Sequence, residues 1–401
     1  MVFAQNISFA RKNIMYIQIC VLRETEEYEK RVAVTPETIK KLRALNCTVH
    51  LEKGAGDNAH YTDAMYKQAG AELHDSVTEL LTSADCVLTV QKPTMGNVES
   101  MKAGSIVVGM LDPYHQDSQS GDALINVASK RGITSFAMEL VPRITRAQSM
   151  DVLSSQANLA GYKAVLDAAE HYTRAFPMMM TAAGTVAPAK VFVMGAGVAG
   201  LQAIATAKRL GAVVSATDVR PAAKEQVQSL GGSFIAVENE EFKEAETAGG
   251  YAKEMSDDYK QQQADLVKSH IETQDIVITT ALIPGRPAPK LITKDMVESM
   301  KPGSVIVDLA AAQGGNCELC KPGSVIDHKG ISIIGHMNVP SRLPTDASAL
   351  YAKNIWNFLQ LIIDKDTKDI SIDWEDEIIK AMALTKEHDI IHPLFSTEKA
   401  A

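Results

Sequence analysis

A chain of 401 residues exceeds the size at which one hydrophobic core usually stops growing, so two domains are the expectation. Its composition, 46% hydrophobic and 22% charged, is that of a globular protein rather than a disordered one. With 40 Lys+Arg against 49 Asp+Glu the net charge is −9, which excludes the basic footprint that nucleic acid needs; no apolar run reaches the roughly 18 residues that span a bilayer, so no direct membrane insertion is expected.

The first residues, Met1 to Ile14, include Arg11 and Lys12 and no acid, and lack the apolar core of a secretory signal. They read either as a short organellar presequence or as an extension upstream of a start at Met15. Ile17 to Leu22 then reads as a strand, and Thr35-Pro36 opens a helix with Thr as N-cap and Pro at the first position. Thr48 to Glu52 is the next strand. Helical segments follow near Asp63 to Gln68 and Val77 to Leu81, and Cys86 to Val90, Ser105 to Met110 and Thr134 to Met138 complete a parallel-type series. This half is built like a nucleotide-binding domain but has no glycine fingerprint.

A long helical stretch from about Val152 to Ala175 leads into Phe176-Pro177-Met178-Met179-Met180 and a second series of alternating strands and helices from Lys190. Within it, Val191 to Met194 is a buried strand and Val198 to Leu210 a helix, with Gly195-Ala196-Gly197-Val198-Ala199-Gly200 between them. Gly195 suits the tight turn, Gly197 lets backbone approach a pyrophosphate, and Gly200 lets helix pack on strand; the helix N-terminus offers unpaired N–H groups to phosphate. A lone G-x-G-x-x-G is a weak signal and could be a bare turn. The flanking strand and helix strengthen it, as does Asp218, which ends the next strand about 20 residues on, where a carboxylate holds the ribose 2′-hydroxyl. The same acid disfavours a 2′-phosphate, so NAD(H) is expected over NADP(H), with Arg220 nearby softening that repulsion without replacing the acid.

Val237 to His270 reads as a polar insertion interrupted by Gly249-Gly250-Tyr251-Ala252, suited equally to a flap over a ligand and to a solvated loop. The sheet resumes at Asp275 to Thr280, where Thr280-Ala281-Leu282 ends a strand on the cofactor side, and Val305 to Asp308 follows. Five cysteines make no disulfide framework, and Cys317-x-x-Cys320, lacking a second pair, reads as two incidental thiols in a turn rather than a metal or redox site. After Pro340 the chain turns polar and irregular through Asp346, then resumes as a helix, Ala349 to Ile363. The expected fold is α/β: two Rossmann-like domains with mostly parallel sheets, joined by long helices with a cleft between them. Residues 1–142 with 345–401 form the first domain, and residues 143–344 the dinucleotide-binding one.

Two stretches carry a resemblance: Arg143 to Asp151 (RITRAQSMD), continuing to Ser154, Ser155 and Leu159-Ala160-Gly161-Tyr162, and Ala248 to Met255 (AGGYAKEM). With Thr217-Asp218-Val219-Arg220 and Gly335-His336-Met337-Asn338-Val339-Pro340-Ser341, they resemble the NAD(H)-binding component of proton-translocating NAD(P) transhydrogenases. The resemblance implies that Arg143, Gln148 and Asp151 position the nicotinamide, with Ser154 and Tyr162 near the same ring. It also implies that Gly250 and Tyr251 belong to a mobile loop over the cofactor. Thr145-x-x-Gln148 also scans as a capping box, which would give Gln148 a purely structural role. Gly195, Gly197, Val198, Ala199, Gly200, Asp218, Val219, Arg220, Ala281 and Leu282 complete the expected cofactor-binding set.

Alanine dehydrogenases are similar too, sharing Arg23-Glu24-Thr25, Arg31-Val32-Ala33 and Thr35-Pro36. Where they use His, however, this chain has Asp112; where they carry Asp it has Ala312, and where they carry Lys it has Gln91. Oxidising an amine needs a group to take the proton as hydride leaves, whereas hydride passing between two nicotinamides needs none. The resemblance therefore implies an enzyme whose NADH gives hydride to NADP⁺, with NADP(H) held on a partner polypeptide, within a complex that includes membrane-spanning proton-channel subunits. It further implies a homodimer formed through Phe176 to Pro188, and a peripheral place on the cytoplasmic side of a bacterial inner membrane or on an organellar matrix side. Without transmembrane helices the chain is either a separate subunit or an excised domain. A free-standing alanine-type dehydrogenase and a non-catalytic NAD-binding module are the alternatives.

Overall fold

A computed structural model describes residues 16–114, 121–243, 255–283 and 285–396. They group into two compact units. One holds the described residues up to Thr25, Arg31–Asp151 and those from Tyr351 on; the other holds Glu26–Lys30 and Val152–Leu350.

The first unit is built on an eight-stranded sheet. From edge to edge its order is Asp389–Ile390, Ala383–Lys386, Thr134–Ala137, Ile106–Gly109, Cys86–Leu88, Ile17–Val21, Cys47–Glu52 and Glu72–His74. The six strands from the first half of the chain all run parallel, and only the two late strands at one edge are antiparallel. Central strands such as Ile106–Gly109 are buried on both faces, which is why they read as unbroken apolar runs. Thr35 caps the helix Pro36–Ala44 as its sequence suggests, and the capping box closes through the Thr38 hydroxyl. The helix Pro344–Ile362 starts five residues before the expected Ala349. Pro344 and Asp346 look like loop residues, but both suit a first turn: proline has no N–H to lose there, and a carboxylate complements the helix dipole. From this helix Tyr351 donates its hydroxyl to the Thr89 carbonyl at 2.8 Å, and Phe358 packs on Phe136 with ring centroids 5.1 Å apart.

The second unit carries a seven-stranded sheet ordered Ser233–Phe234, Val213–Thr217, Lys190–Met194, Ile276–Thr279, Val305–Asp308, Ile331–Ile334 and Val325–His328. All neighbours are parallel except the last pair. Strand order reverses at Lys190–Met194, so the crevice beyond its carboxyl end lies at a topological switch point, where such sheets bind ligands. The helix Val152–His171 stops short of Ala175, where Tyr172 and Phe176 turn edge-to-face into the core. The exposed character expected of Phe176 to Pro188 holds for its hairpin, Met179–Thr181 with Gly184–Val186, where Met178 and Met180 are 60% and 78% exposed; Phe176 itself is buried.

The expected polar insertion is in large part a core element. Ser256 caps a helix, Asp257–Ile271, that buries Tyr259, Val267 and Ile271 and stacks His270 edge-on against Phe192 at 4.7 Å. Its glutamines and lysines are the solvated face of an amphipathic helix, so polarity alone was misleading. Gly249, Gly250 and Tyr251 lie outside the described residues. No helix among the described residues is long and apolar enough to cross a membrane.

Candidate functional site

The glycine loop follows from steric demands that can be taken residue by residue. The buried strand Lys190–Met194 delivers the chain to Gly195 at φ 102°, a backbone conformation that L side chains rarely adopt. A Cβ at Gly195 would stand 2.5 Å from Thr280 Oγ1, which donates to the Gly195 carbonyl at 3.0 Å. Gly200, in the first turn of the helix Val198–Arg209, approaches so closely that a Cβ would meet the Gly195 carbonyl oxygen at 1.8 Å. Gly197 is the opposite case: it is the N-cap, and a Cβ there would meet nothing within 4 Å. Two glycines are thus required by the protein's own packing, and the third borders open space. No side chain caps this helix. Its first-turn N–H groups face a space that a phosphate group fits.

Asp218 follows the adjacent strand Val213–Thr217 and turns its carboxylate back onto the loop. Oδ2 accepts from the Ala196 N–H at 2.7 Å, and Oδ1 accepts from the Arg220 N–H at 2.9 Å. The Arg220 guanidinium forks onto the same carboxylate at 2.9 and 3.0 Å. Asp218 is nearly buried while Arg220 keeps about a third of its side chain exposed, so the exposed edge of the pair carries cation and anion together. Val219 and Val198 present exposed apolar side chains beside them.

On the other flank, Ala281 and Leu282 follow the strand Ile276–Thr279. A fully buried residue that sequence reading passed over holds this loop: Asn316 Oδ1 accepts from the Ala281 N–H at 3.0 Å while Nδ2 donates to the carbonyls of Ala281 and Pro289 at 2.9 and 2.8 Å. Asp308, buried one strand further, accepts from Thr279 Oγ1, the Ala310 N–H and the Cys317 N–H at 3.0, 3.0 and 2.8 Å. Its lone pairs serve the fold. Burial pushes the Cys317 and Cys320 thiols up to about 11 and about 12, so neither is a thiolate at neutral pH, in line with the incidental-thiol reading. Gly314-Gly315-Asn316 was the available signal for this anchor, two glycines at positive φ followed by a side chain able to bridge backbone.

The helix Val152–His171 belongs to the same unit and carries Ser154 and the partly exposed Tyr162. It packs on the loop helix backbone to backbone, since a Cβ at Gly161 would lie 2.0 Å from the Ala199 carbonyl oxygen. The second unit therefore gathers the glycine loop, Asp218 to Arg220, Ala281 and Leu282, with the Tyr162 helix directly against the loop. The motif at Gly335 to Ser341 has a holding role here: Asn338 Nδ2 and Ser341 Oγ donate to the two carboxylate oxygens of Glu29 at 2.9 and 3.0 Å.

Arg143, Gln148 and Asp151 lie in the first unit, on and beside a 3₁₀ turn, Thr145–Met150. The capping-box alternative fails, because the residue before the turn is Ile144 and no side chain caps it. Instead the turn is pinned by residues no motif flagged. Arg146 forks onto Asp376 at 2.7 and 2.9 Å, and the Ser149 carbonyl accepts from Asn354 and Asn357 at 2.8 and 3.0 Å. Gln148 and Arg143 remain exposed.

The positions that separate this chain from amino-acid dehydrogenases are also occupied by structural partners. Asp112, at φ 53°, pairs with Lys92 at 3.4 Å. The Glu24 carboxylate accepts from the N–H groups of Val90 and Gln91 at 2.6 and 3.2 Å. Glu139 accepts from the Asp112 N–H at 2.6 Å, and burial raises its carboxyl to about 7. Ala312 is exposed and offers no proton-transferring group.

Two family models match the chain: "Alanine dehydrogenase/PNT, N-terminal domain" over residues 20–160 and "Alanine dehydrogenase/PNT, C-terminal domain" over residues 164–393. The first of the polypeptides that make up NAD(P) transhydrogenase subunit alpha in Rhodospirillum rubrum is 52% identical over 384 residues, covering 96% of this chain and 100% of that protein. The crystal structure of transhydrogenase from Sinorhizobium meliloti superposes with a TM-score of 0.83 at 51% identity, covering 93% of this chain and 100% of that one. Alanine dehydrogenase of Mycobacterium tuberculosis is 30% identical over 336 residues, 82% of each chain.

Proposed function

The chain belongs to the alanine dehydrogenase/PNT family, and from that membership we propose that it is the NAD(H)-binding subunit of a proton-translocating transhydrogenase, handing hydride from NADH to NADP⁺ held on a partner polypeptide. One observation carries this choice within the family. A complete dinucleotide loop stands in a chain whose dehydrogenase positions are Gln91, Asp112 and Ala312, with Asp112 engaged by Lys92. Hydride donation is the chemistry that bound NADH supplies, and it releases no proton at the reacting carbon. The protein's task is then to bind, orient and exclude water.

Gly195, Gly197 and Gly200 shape the phosphate seat, with the N–H groups of Val198 and Ala199 facing the pyrophosphate. Asp218 takes the ribose hydroxyls, steadied by Arg220 and the Ala196 N–H, and the exposed Val198, Val219 and Leu282 offer apolar surface to the rings. The Asp218–Arg220 pair favours NAD(H): a 2′-phosphate would have to displace Arg220 from a carboxylate that stays close by. Arg143, Gln148 and Asp151 are the orienting groups, with Ser154 and Tyr162 beside them in role, and Gly250 and Tyr251 supply a covering loop. NADP(H) belongs to the partner, membrane-spanning subunits carry the protons, and the exposed methionine hairpin joins two copies of this chain. The assembly places the chain on the cytoplasmic face of a bacterial inner membrane or a matrix face.

The test mixes the purified chain with a separately made NADP(H)-binding partner and follows hydride exchange in a single turnover. Transfer from NADH that needs both proteins is expected. Alanine-dependent NADH formation by this chain alone would replace the reading with the dehydrogenase one, and NADH binding without transfer would leave a binding module.

A further inference from the structure

Far along the first unit's sheet from the residues discussed so far, the edge strand Glu72–His74 pairs in parallel with Cys47–Glu52, with His50 opposite Glu72 and Glu52 opposite His74. Side chains two apart on a strand share a face, and residues in register share it across the ladder. His50, Glu72 and His74 therefore converge on one face. His50 Nδ1 lies 2.9 Å from His74 Nε2 and 3.5 Å from a Glu72 carboxylate oxygen, and one ligand atom from each residue falls within 4.8 Å of the others. Among the described residues this is the one group of three such side chains brought so close.

A neighbouring amide fixes which His50 nitrogen is free to act. Gln18 Nε2 donates to the Tyr16 carbonyl at 2.6 Å, which turns Gln18 Oε1 toward His50 Nε2 at 2.7 Å. An amide oxygen only accepts, so Nε2 carries the ring proton and Nδ1 is left with a lone pair aimed at His74 Nε2 and Glu72. Ring nitrogens and a carboxylate oxygen bound to one zinc ion at about 2.0–2.1 Å stand roughly 3.3 Å apart at the corners of a tetrahedron. The separations of 2.9 and 3.5 Å bracket that edge. An outer hydrogen bond that orients a ligating imidazole is a recurrent companion of such sites, and Gln18 supplies it. The fourth acid nearby, Glu52, is held instead by Arg23, whose N–H donates to it at 2.9 Å. Glu72 is 61% exposed, so a hydrated cation has a path in.

We propose that His50, Glu72 and His74 form a binding site for one divalent transition-metal ion of the zinc type, oriented by Gln18 and tying the edge strand Glu72–His74 to the rest of its sheet. Two imidazoles and a carboxylate are a borderline-soft set that suits Zn²⁺, and Co²⁺ as its spectroscopic probe, over Mg²⁺ or Ca²⁺. Three protein ligands leave a corner for water.

The experiment uses the full chain, stripped with chelator and returned to metal-free buffer. Co²⁺ is titrated while its visible d–d absorption is followed, and Zn²⁺ is then added in competition. One saturable equivalent per chain is expected, displaced by Zn²⁺. His74→Gln, on the exposed edge strand, should weaken binding by about 10-fold or more, and Gln18→Ala by about 10-fold through loss of orientation. Both variants should match wild type in melting temperature in chelator, and only wild type should gain thermal stability from Zn²⁺. NADH affinity should be the same with and without metal, which separates this site from the dinucleotide loop. Absence of a saturable cobalt spectrum, or binding equally tight in His74→Gln, overturns the proposal and leaves the pair as a His74 Nε2–H donating to His50.

Discussion

Gly161→Ala sets helix propensity against close packing, and the structure decides which prevails. Replacing glycine by alanine inside a helix ordinarily stabilises it by about 1 kcal/mol. At Gly161 the new methyl group would stand 2.0 Å from the Ala199 carbonyl oxygen, and ordinary contact lies near 3.4 Å. The obstacle is backbone in the first turn of the loop helix, not the end of a flexible side chain, so the two helices must separate by more than an ångström. Overpacking of this kind costs about 1–3 kcal/mol. The net expectation is a loss of about 1–2 kcal/mol, or a melting temperature lower by roughly 2–8 °C for a unit of this size. The displaced turn carries the phosphate-facing N–H groups, and losing one charge-assisted bond, worth about 1.5–3 kcal/mol, weakens NADH binding by roughly 10- to 150-fold. Gly197→Ala is the control that parts the two effects. Its Cβ meets no protein atom within 4 Å, so the unliganded protein should melt as wild type while NADH binding still falls, because the methyl occupies the open space. Calorimetric melting and NADH fluorescence titration of both variants check this. A Gly161→Ala protein with raised stability and unchanged affinity would refute the packing argument and separate the helix Val152–His171 from the site.

Three further outcomes follow from the same geometry. Asp218→Ala releases Arg220 and the Ala196 N–H and should weaken NADH by about 1.5–3 kcal/mol while narrowing the preference over NADPH; fluorescence titration with both nucleotides reads it, and unchanged NADH affinity would remove Asp218 from the site. Gln148→Asn draws its amide back by one C–C bond, and because a displacement near 1 Å can cost roughly 100-fold in rate, single-turnover transfer should collapse at nearly constant NADH affinity and melting temperature. Glu139, raised to about 7 by burial, holds its proton in the folded state above the pH at which the unfolded chain, near 4.5, releases it. Its contribution therefore falls as pH rises from about 4.5 to about 7 and is level above that, by up to roughly 3 kcal/mol. Glu139→Gln should flatten that decline in denaturant melts taken across the window, and an unaltered slope would show that the carboxyl is ionised in the fold.

Local grammar made much of this protein readable. Both parallel series, the Thr35 cap and the strand–loop–helix around Gly195 are written in short-range patterns, where steric limits act on one or two residues at a time. What stayed hidden is long-range or ambiguous in polarity. Asp257–Ile271 carries enough charge to look like a solvated loop, yet three well-spaced apolar residues, Tyr259, Val267 and Ile271, bury it. Pro344 and Asp346 read as irregular chain because residues that break helices in the interior also begin them. The supports of the candidate site were beyond reach for a different reason. Asn316 holding Ala281, Arg146 gripping Asp376 and Asn354 reaching Ser149 are pairings 35, 230 and 205 residues apart, and no local pattern specifies which distant carbonyl a side chain will meet. The cluster of His50, Glu72 and His74 is of the same kind, since its members meet only through strand register.

Those supports bear on which chemistry the chain can perform. An amino-acid dehydrogenase must keep a proton-accepting group poised and unencumbered near its substrate. Here the acids that could be recruited are engaged elsewhere: Asp308 accepts three internal hydrogen bonds, Asp112 pairs with Lys92, and Glu24 holds two backbone N–H groups. Effort is concentrated instead on fixing backbone. The turn that bears Gln148 is pinned by Arg146, Asn354 and Asn357, the loop that bears Leu282 is pinned by Asn316, and the glycine loop is locked by Thr280 and Gly200. Rigid positioning without a free acid or base is of little use to a reaction that must move a proton. It is what hydride transfer between two nicotinamides requires, because there the rate depends on holding two carbons at the right distance and angle.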